Sequence, residues 1–274
     1  MSVIGIVGEY NPFHYGHKYH IETTKKLVGE PAQVVCVISG DFVQRGEAAV
    51  YSKFARAEAA VRSGADLVLE LPVPWSLSSA EGFARGAVGI LGRLGVITHL
   101  SFGSECGDTE VLEKIAVALL EPGMTEEIKV VMARDESLSF AAARQTAAEK
   151  SLGDAARLLE TPNNILAVEY IKALYTQGLD LAPITVKRIG SGHDRTGETG
   201  PRSASELRSR LSRGIDISED IPCGAAEVYA RENKQGRGPV TNESLELALI
   251  SRRRMLPDEA FASLPDSGGG RDKR

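Results

Sequence analysis

Short apolar segments alternate with amphipathic segments along most of the chain. Four apolar segments are rich in β-branched residues and end in turn formers, as buried parallel strands do: VIGIVGE (3–9), AQVVCVISG (32–40), ADLVLELP (65–72) and VITHLSFG (96–103). A fifth predicted strand is PITVKRIGSG (183–192). The first three segments between strands predict helices: HKYHIETTKKLV, FARAEAAVRSG and SSAEGFARGAVGILGRLG. This alternation predicts an α/β fold with a doubly wound, Rossmann-like parallel sheet.

The pattern also predicts how the chain is divided. Residues 1–215 form one predicted domain, and within it residues 107–160 are polar and helical in pattern, which indicates an inserted helical region. SASELRSRLSRG (203–214) predicts one further helix. The pattern weakens over residues 216–274, where we expect a partial helical carboxyl-terminal region with a disordered, glycine-rich tail.

Composition narrows the class of protein. The three cysteines are widely spaced, which argues against a disulfide framework and a cysteine zinc site and favours the reducing cytoplasm. No stretch approaches the roughly 18 to 20 apolar residues of a membrane span. Residues 1–186 carry 16 basic and 23 acidic side chains, whereas residues 187–274 carry 16 and 14. The final third is therefore the expected place for an anionic partner, unless it is an ordinary mixed-charge surface.

Three of the five histidines fall within EYNPFHYGHKYH (9–20), at the end of the first predicted strand. His14 and His17 would stand at the start of the following helix, whose free N–H groups and dipole attract phosphate. Gly16 would let a nucleotide approach the backbone. Imidazole donors there would stabilise charge on an α-phosphate during nucleotidyl transfer. Local packing and metal ligation are the alternatives.

A second motif lies near the other end of the predicted domain. In SASELR (203–208), Ser203 and Ser205 would begin a helix with Arg208 one turn on, which suits β- and γ-phosphates. An ordinary helix cap is the alternative. Strand–turn–HYGH–helix together with SASELR resembles the HIGH nucleotidyltransferase superfamily.

A longer series of segments resembles the tRNA(Met) cytidine acetate ligase family. The series, in order, is GIVGEYNPFHYGHKYH, SGDFVQRGE, ADLVLELP with SSAEGFARGAV, LSFGSE, PNNILAVEYIKAL and VKRIGSGHD. The resemblance implies that ATP and acetate form acetyl-adenylate and pyrophosphate. The acetyl group then passes to the exocyclic amine of the wobble cytidine in elongator tRNA(Met), with no membrane or DNA partner. Mg²⁺ is expected to accompany ATP.

The resemblance also implies which residues act. His14 and His17 would be catalytic, and no protein metal site is implied. The implied ATP-binding residues are Val7, Gly8, Glu9, Tyr10, Asn11, Pro12, Phe13, His14, Tyr15, Gly16, His17, Lys18, Tyr19, His20, Gly103, Asn163, Arg188 and Ile189, with Ser203, Ser205 and Arg208 from the second motif.

Simpler roles remain open for several of these positions. Gly103 could be a turn glycine, Asn163 a helix cap and Arg188 a surface arginine. Glu9 and Glu105 could orient substrate amines or magnesium, or could be solvated loop carboxylates. Arg45, in the loop after the second strand, is a candidate carboxylate or phosphate clamp.

Members of the ligase family are longer and end in a basic helical region that helps hold tRNA. We therefore expect this chain to be a piece or a shortened relative, with Arg252–Arg254 as a small basic patch. Two other functions stay open: a small-molecule adenylyltransferase of the same superfamily, and a nucleotide- or RNA-binding module without turnover.

Overall fold

The computed structural model describes residues 1–29, 31–135, 137–189, 201–257 and 259–260. Five parallel strands form one sheet in the order β3-β2-β1-β4-β5. Their bounds are β1 Ser2–Gly8, β2 Ala32–Ser39, β3 Leu67–Leu71, β4 His99–Ser104 and β5 Ala182–Lys187. The predicted parallel α/β sheet is thus confirmed, and the strand order reverses direction between β1 and β4.

Helices connect and flank the strands. The α-helices are α1 Tyr15–Val28, α2 Lys53–Val61, α3 Val73–Ser76, α4 Ala80–Arg93, α5 Thr109–Leu120, α6 Pro122–Arg134, α7 Phe140–Leu152, α8 Pro162–Thr176, α9 Ala204–Ser212, α10 Cys223–Lys234 and α11 Asn242–Met255, with 3-10 turns at Gly153–Glu160 and Ser218–Asp220. The predicted helical region between β4 and β5 is therefore α5 to α7 with a 3-10 segment.

Alternating strand residues build a separate apolar core on each face of the sheet. On one face, Val7 and Phe102 pack with α4, α5 and α8. On the other face, Ile6 and Cys36 pack with α1, α2, α9 and α10. Helices on both faces of a parallel sheet leave its carboxyl edge between β1 and β4 open to a ligand.

Three details differ from the sequence prediction. The segment expected to be a buried strand at 65–72 is an edge strand, and Leu67 is 46% exposed, because only β2 pairs with it. The fifth strand ends at Lys187, whereas 183–192 was predicted. The core also continues beyond 215, the predicted domain boundary, since Val228 and Tyr229 of α10 pack against the sheet core.

Candidate active site

The turn after β1 is held in an unusual backbone conformation. Tyr10 has a φ of 50°, in the left-handed region that a bulky residue rarely adopts. Its ring is buried, and its hydroxyl lies 3.2 Å from the Cys36 sulfur on β2. The Asn11 side-chain oxygen accepts a hydrogen bond from the Val50 N–H at 2.8 Å. The turn therefore has a fixed shape that presents the next residues at the carboxyl edge of the sheet.

His14 and His17 form a capping box at the start of α1. The Nδ1 atom of His14 accepts from the Gly16 N–H at 3.0 Å, and the Nδ1 atom of His17 accepts from the His14 N–H at 3.2 Å. An imidazole nitrogen that accepts carries no proton, so in each neutral ring the proton sits on Nε2. No described residue pairs with either Nε2 atom, and two N–H donors are therefore available at the amino end of α1.

Gly16 makes room for the His14 side chain that caps α1. A Cβ atom at this position would lie 2.7 Å from Cε1 and 3.0 Å from Nδ1 of His14. The sequence suggested that Gly16 lets a nucleotide approach the backbone. The structure adds a nearer reason, because any side chain here would collide with the His14 ring that caps the helix.

His20 is tied to the sheet one turn further along α1. Its Nε2 atom lies 2.8 Å from the Ser101 hydroxyl on β4, and Thr24 lies 2.7 Å from the same hydroxyl. Its ring nitrogen is thus engaged within the protein, and His20 forms the wall beside His14 and His17.

All three imidazoles are neutral near pH 7. Burial, with Arg188 and Arg208 nearby, lowers the pKa of His14 from 6.5 to about 4. Burial and Arg188 lower the pKa of His20 to about 4 as well. The pKa of His17 is lowered by burial and by its neighbouring imidazoles and Arg188. Neutral donors are therefore set among fixed positive charges, an arrangement that would favour an anionic ligand.

Two arginines from distant segments supply that positive charge. Arg188 follows β5, and its side chain lies over Gly103, where an added Cβ would meet its Cγ at 3.3 Å. Arg208, on α9, donates to the Asn11 carbonyl oxygen at 2.9 Å. The structure thus brings the SASELR helix to the HYGH turn, and phosphate binding between them stays a prediction.

The serines of SASELR are placed differently from each other. Ser203 is the N-cap of α9, and its hydroxyl accepts from the Glu206 N–H at 3.2 Å, the ordinary capping alternative. Ser205 is exposed in the first turn. Phosphate binding by either hydroxyl stays a prediction.

Glu105 has a structural role that the sequence did not indicate. Its carboxylate accepts from the Asn163 side chain at 2.6 Å and from the Asn164 N–H at 2.8 Å, and so caps α8. The Asn164 side-chain oxygen in turn accepts from the N–H groups of Glu105 and Cys106. Thr161, not an asparagine, is the N-cap residue, and Glu105 serves in place of its side chain. The loop after Gly103 is thereby fixed to α8.

Arg56 is the buried residue that sequence reasoning missed. Its guanidinium donates to the carbonyl oxygens of Tyr51, at 3.1 Å, and Ser39, at 2.9 Å, and also to those of Gly40 and Glu9. It therefore joins the carboxyl ends of β1 and β2 beneath the HYGH turn. The sequence did indicate that Arg56 is buried, because its spacing from Ala59 and Ala60 places it on the buried face of α2.

The remaining predicted residues divide between core and surface. Val7, Asn11, Pro12, Phe13 and Tyr10 are buried, while Tyr15, Tyr19 and Ile189 are exposed. Residues of intermediate exposure are Gly8, Glu9, Gly16, Lys18, Gly103, Asn163 and Arg208. Arg45 is exposed in its loop, and contact with a ligand stays a prediction for it. His193 lies outside the described residues.

The described residues provide neither a cluster of metal ligands nor a helix fit to span a membrane. No group of three or more histidine, cysteine, aspartate or glutamate side chains within them is placed to hold a metal ion. In the described part of the chain, no helix combines the length and apolar character that a membrane span requires.

Comparison with known proteins matches this chain to one family. A family model described as HIGH Nucleotidyl Transferase matches residues 1–274. The chain is similar to tRNA(Met) cytidine acetate ligases of Thermosipho africanus (38% identity, 100% of this chain, 66% of the relative) and Fervidobacterium nodosum (40%, 100% and 65%).

A solved structure shares the fold. The crystal structure of Thermotoga maritima TmcAL bound with alpha-thio ATP superposes with a TM-score of 0.88 at 36% identity. This chain is covered completely, and 66% of that chain is covered. The chain therefore spans just under two thirds of the length of these relatives.

Proposed function

The chain belongs to the HIGH nucleotidyltransferase family, in which it resembles the tRNA(Met) cytidine acetate ligases throughout its length, and on this basis we propose its reaction. ATP and acetate react to form acetyl-adenylate and pyrophosphate. The acetyl group is then transferred to the wobble cytidine of elongator tRNA(Met), which becomes N4-acetylcytidine.

The observation that carries this proposal is the histidine capping box. Backbone N–H groups occupy Nδ1 of both His14 and His17, so that each ring offers its Nε2–H to a ligand. Two neutral donors at the amino end of a helix fit a phosphate that gains charge in the transition state. The structure of a relative bound with alpha-thio ATP supports the choice of nucleotide.

The first step needs little covalent chemistry from the protein. An acetate oxygen attacks the α-phosphorus of ATP in line, the new P–O bond forms, and the bond to pyrophosphate breaks. His14 and His17 would donate to oxygens of the α-phosphate, while Arg188 and Arg208 would meet the β- and γ-phosphates. Catalysis on this account is positioning together with electrostatic stabilisation.

Magnesium would enter with the triphosphate. The described residues offer no cluster of carboxylates or histidines that would hold the ion by themselves. Mg²⁺ commonly keeps several waters and is bound largely through substrate phosphates, which fits a site of this kind. Its charge would offset that of pyrophosphate.

In the second step the exocyclic amine of cytidine attacks the acetyl carbonyl carbon of acetyl-adenylate. A C–N bond forms, the bond between that carbon and AMP breaks, AMP leaves, and one amine proton is released to water. The relatives named for this activity are longer than this chain, so the tRNA step has an assay of its own below.

Acetate-dependent exchange of labelled pyrophosphate into ATP tests the first step. Exchange that requires acetate supports the proposal, and a folded protein that shows none contradicts it. Exchange that needs a phosphorylated metabolite in place of acetate would identify a small-molecule adenylyltransferase. ATP binding without any exchange would identify a binding module. Formation of N4-acetylcytidine on transcribed tRNA(Met) tests the second step.

A further inference from the structure

Glu105 holds the side-chain amide of Asn163 in one orientation. Its Oε1 atom accepts from the Asn163 side-chain nitrogen at 2.6 Å and from the Asn163 backbone N–H at 3.3 Å. Its Oε2 atom accepts from the Asn164 backbone N–H at 2.8 Å. A backbone N–H can only donate, so both carboxylate oxygens act as acceptors at this helix start. The Asn163 amide must therefore turn its nitrogen toward Glu105 and its Oδ1 atom away.

Asn164 fixes Glu105 in return. Its side chain is buried, and its oxygen accepts from the N–H groups of Glu105 at 3.0 Å and Cys106 at 3.2 Å. The loop after β4 and the first turn of α8 are thus joined in both directions. Because the backbone and the carboxylate of Glu105 are both bound to α8, the orientation of the Asn163 amide is set by the fold.

The Asn163 side chain keeps polar atoms that the fold does not use. Its Oδ1 atom has no hydrogen-bond partner among the described residues, and its nitrogen has only Glu105, so one amide N–H remains. Asn163 is of intermediate exposure, and its Oδ1 atom is not sealed from solvent. An acceptor and a neighbouring donor are therefore open to a ligand.

Asn163 lies on the same sheet edge as the histidines. Ser101 of β4 contacts His20 of α1, and Gly103 follows two residues, or about 7 Å of strand, further along. Arg188 binds here too, since its backbone N–H donates to the Ser104 carbonyl oxygen at 2.9 Å and its side chain lies over Gly103. The residue after Ser104 is Glu105. The end of β4 thus connects the histidine site to the Asn163 amide.

Charge distinguishes the two ends of this edge. Imidazole donors and the two arginines suit phosphate at the HYGH turn, whereas the Glu105 carboxylate beside Asn163 opposes a second anion. The uncharged base is therefore the part of a nucleotide that fits next to Asn163. An amide that presents its oxygen with an N–H beside it complements adenine, which offers an amine next to a ring acceptor.

We propose that Glu105 is a positioning residue for base selection, which holds the Asn163 amide so that the site accepts adenine and rejects a 6-oxopurine. This inference rests on the proposed function, because that function makes ATP the nucleotide. With the amide reversed, its nitrogen would donate to the O6 atom of a 6-oxopurine and its oxygen would accept from N1–H. The orientation of one amide thus decides between the two bases. Glu105 contacts α8 and acts on the base through Asn163.

Equilibrium dialysis of labelled ATP and inosine triphosphate (ITP) tests this role directly. The full chain is used with Mg²⁺ and without acetate, so that binding is measured without turnover. ITP has the ribose and triphosphate of ATP and differs in the base, so the ratio of the two dissociation constants reports base selection alone. The wild type is expected to bind ATP about 10- to 100-fold more tightly than ITP. Glu105→Gln should bring this ratio close to one, because a glutamine amide can donate to Asn163 as well as accept and so permits both orientations.

Asn163→Ala shows whether Glu105 acts through the asparagine. Removal of the amide should weaken ATP binding about tenfold and lower the ATP-to-ITP preference to that of Glu105→Gln. In the double variant, Glu105→Gln should change the preference no further, because two residues that act as one unit are not additive.

Asp108→Asn is the matched control. Asp108 is a second carboxylate in the loop after β4, and it caps α5 by accepting from the Val111 N–H at 3.1 Å. Asparagine is also a good N-cap, so the ATP-to-ITP preference should stay at the wild-type value. Both affinities are measured on one preparation, and their ratio does not depend on the fraction of folded protein. A loss of stability in Glu105→Gln therefore cannot imitate the expected result.

Equal binding of ATP and ITP to the wild type would overturn the inference, as would a Glu105→Gln variant that keeps the wild-type preference. Pyrophosphate exchange, measured on the same preparations, keeps the two proposals separate. If exchange requires acetate and ITP binds as tightly as ATP, only the role of Glu105 in base selection fails. If the preference for ATP depends on Glu105 and no exchange occurs, the proposed reaction fails and base selection stands.

Discussion

The rings of His14 and His17 lie 3.9 Å apart between centroids, and a backbone N–H fixes the tautomer of each. The helix start therefore orients its own catalytic candidates. In an ordinary capping box a serine or threonine pairs with a glutamate or glutamine three residues on. Here imidazoles take both positions, so that capping consumes one nitrogen of each ring and leaves the other for a ligand.

Replacing each histidine with a residue that can still cap separates the two roles. His14→Asn keeps a good N-cap and His17→Gln keeps a reciprocal partner at the third position, so we expect stability within about 1 kcal/mol of wild type. Both variants lose an Nε2–H donor, and acetate-dependent pyrophosphate exchange should fall about 100-fold or more. Exchange rates and urea unfolding measure the two effects.

His99→Asn is the matched histidine control. His99 stands at the amino end of β4 and contacts Thr98, away from the HYGH turn. Its replacement should leave exchange near the wild-type rate. Full exchange by both His14→Asn and His17→Gln would refute the role assigned to their Nε2 atoms.

Gly16→Ala should damage the site through contact with His14. The added Cβ would lie 2.7 Å from the imidazole, which must then move and lose its bond to the residue 16 N–H. We expect exchange to fall about 10- to 100-fold, because a small displacement of a donor is costly in a positioned site. Gly123→Ala is the control, since nothing lies within 4 Å of that position on α6, and it should be neutral or slightly stabilising. Wild-type exchange by Gly16→Ala would contradict the packing argument.

Lowering the pH should destabilise the fold at pH values above those at which most of its carboxylates become protonated. The folded pKa values of His14 and His20 are about 4, below the ordinary 6.5 of the unfolded chain. Between these values the unfolded chain binds more protons, so the free energy of unfolding falls as the pH is lowered from 6.5 toward 4. Each such histidine contributes a slope of up to about 1.4 kcal/mol per pH unit.

The variant His20→Asn isolates one of these contributions. Its free energy of unfolding, measured by urea titration between pH 5 and 6.5, should depend on pH less steeply than that of the wild type. The difference in slope should correspond to the uptake of about one proton on unfolding. Asparagine can keep a hydrogen bond to Ser101. Parallel pH dependences for the two proteins would show that His20 titrates normally in the fold.

Arg56→Ala should be among the most destabilising changes at any charged position. It would leave buried carbonyl oxygens of Glu9, Ser39, Gly40 and Tyr51 without their donor, at a cost of about 3–5 kcal/mol. Arg62 is the C-cap residue of α2, and Arg62→Ala removes only exposed ion pairs and should cost less than about 1 kcal/mol. Thermal unfolding of both variants measures the difference, and similar losses would contradict the role of Arg56.

The sequence predicted those parts of the structure that depend on the repeat of apolar positions and on residues close together in the chain. Apolar runs between turn formers predicted the strands, and the position of HYGH after the first strand predicted a helix start with two imidazoles. Edge exposure at β3 could not be read from ADLVLELP, because strand order depends on long-range pairing that a local run does not encode.

The interactions missed are those between side chains and distant backbone. Glu105 resembles a solvated loop carboxylate in sequence, yet it caps a helix that begins 57 residues later. Arg56 lies in an alanine-rich helix, where its position on the buried face indicates burial but does not identify the four carbonyl oxygens that it contacts. Such contacts follow from tertiary geometry, whereas motifs and periodicity report the local chain.

The HYGH turn is completed by residues made much later. The Phe13 N–H donates to the Tyr229 hydroxyl, 216 residues on, and Arg208 reaches the Asn11 carbonyl oxygen from 197 residues away. During synthesis from the amino terminus, the first strand and its turn emerge long before either partner exists. A nascent chain that has released Arg208 but not yet Tyr229 from the ribosome therefore has at most one of the two contacts, and the turn reaches its final set of hydrogen bonds only when residue 229 has emerged.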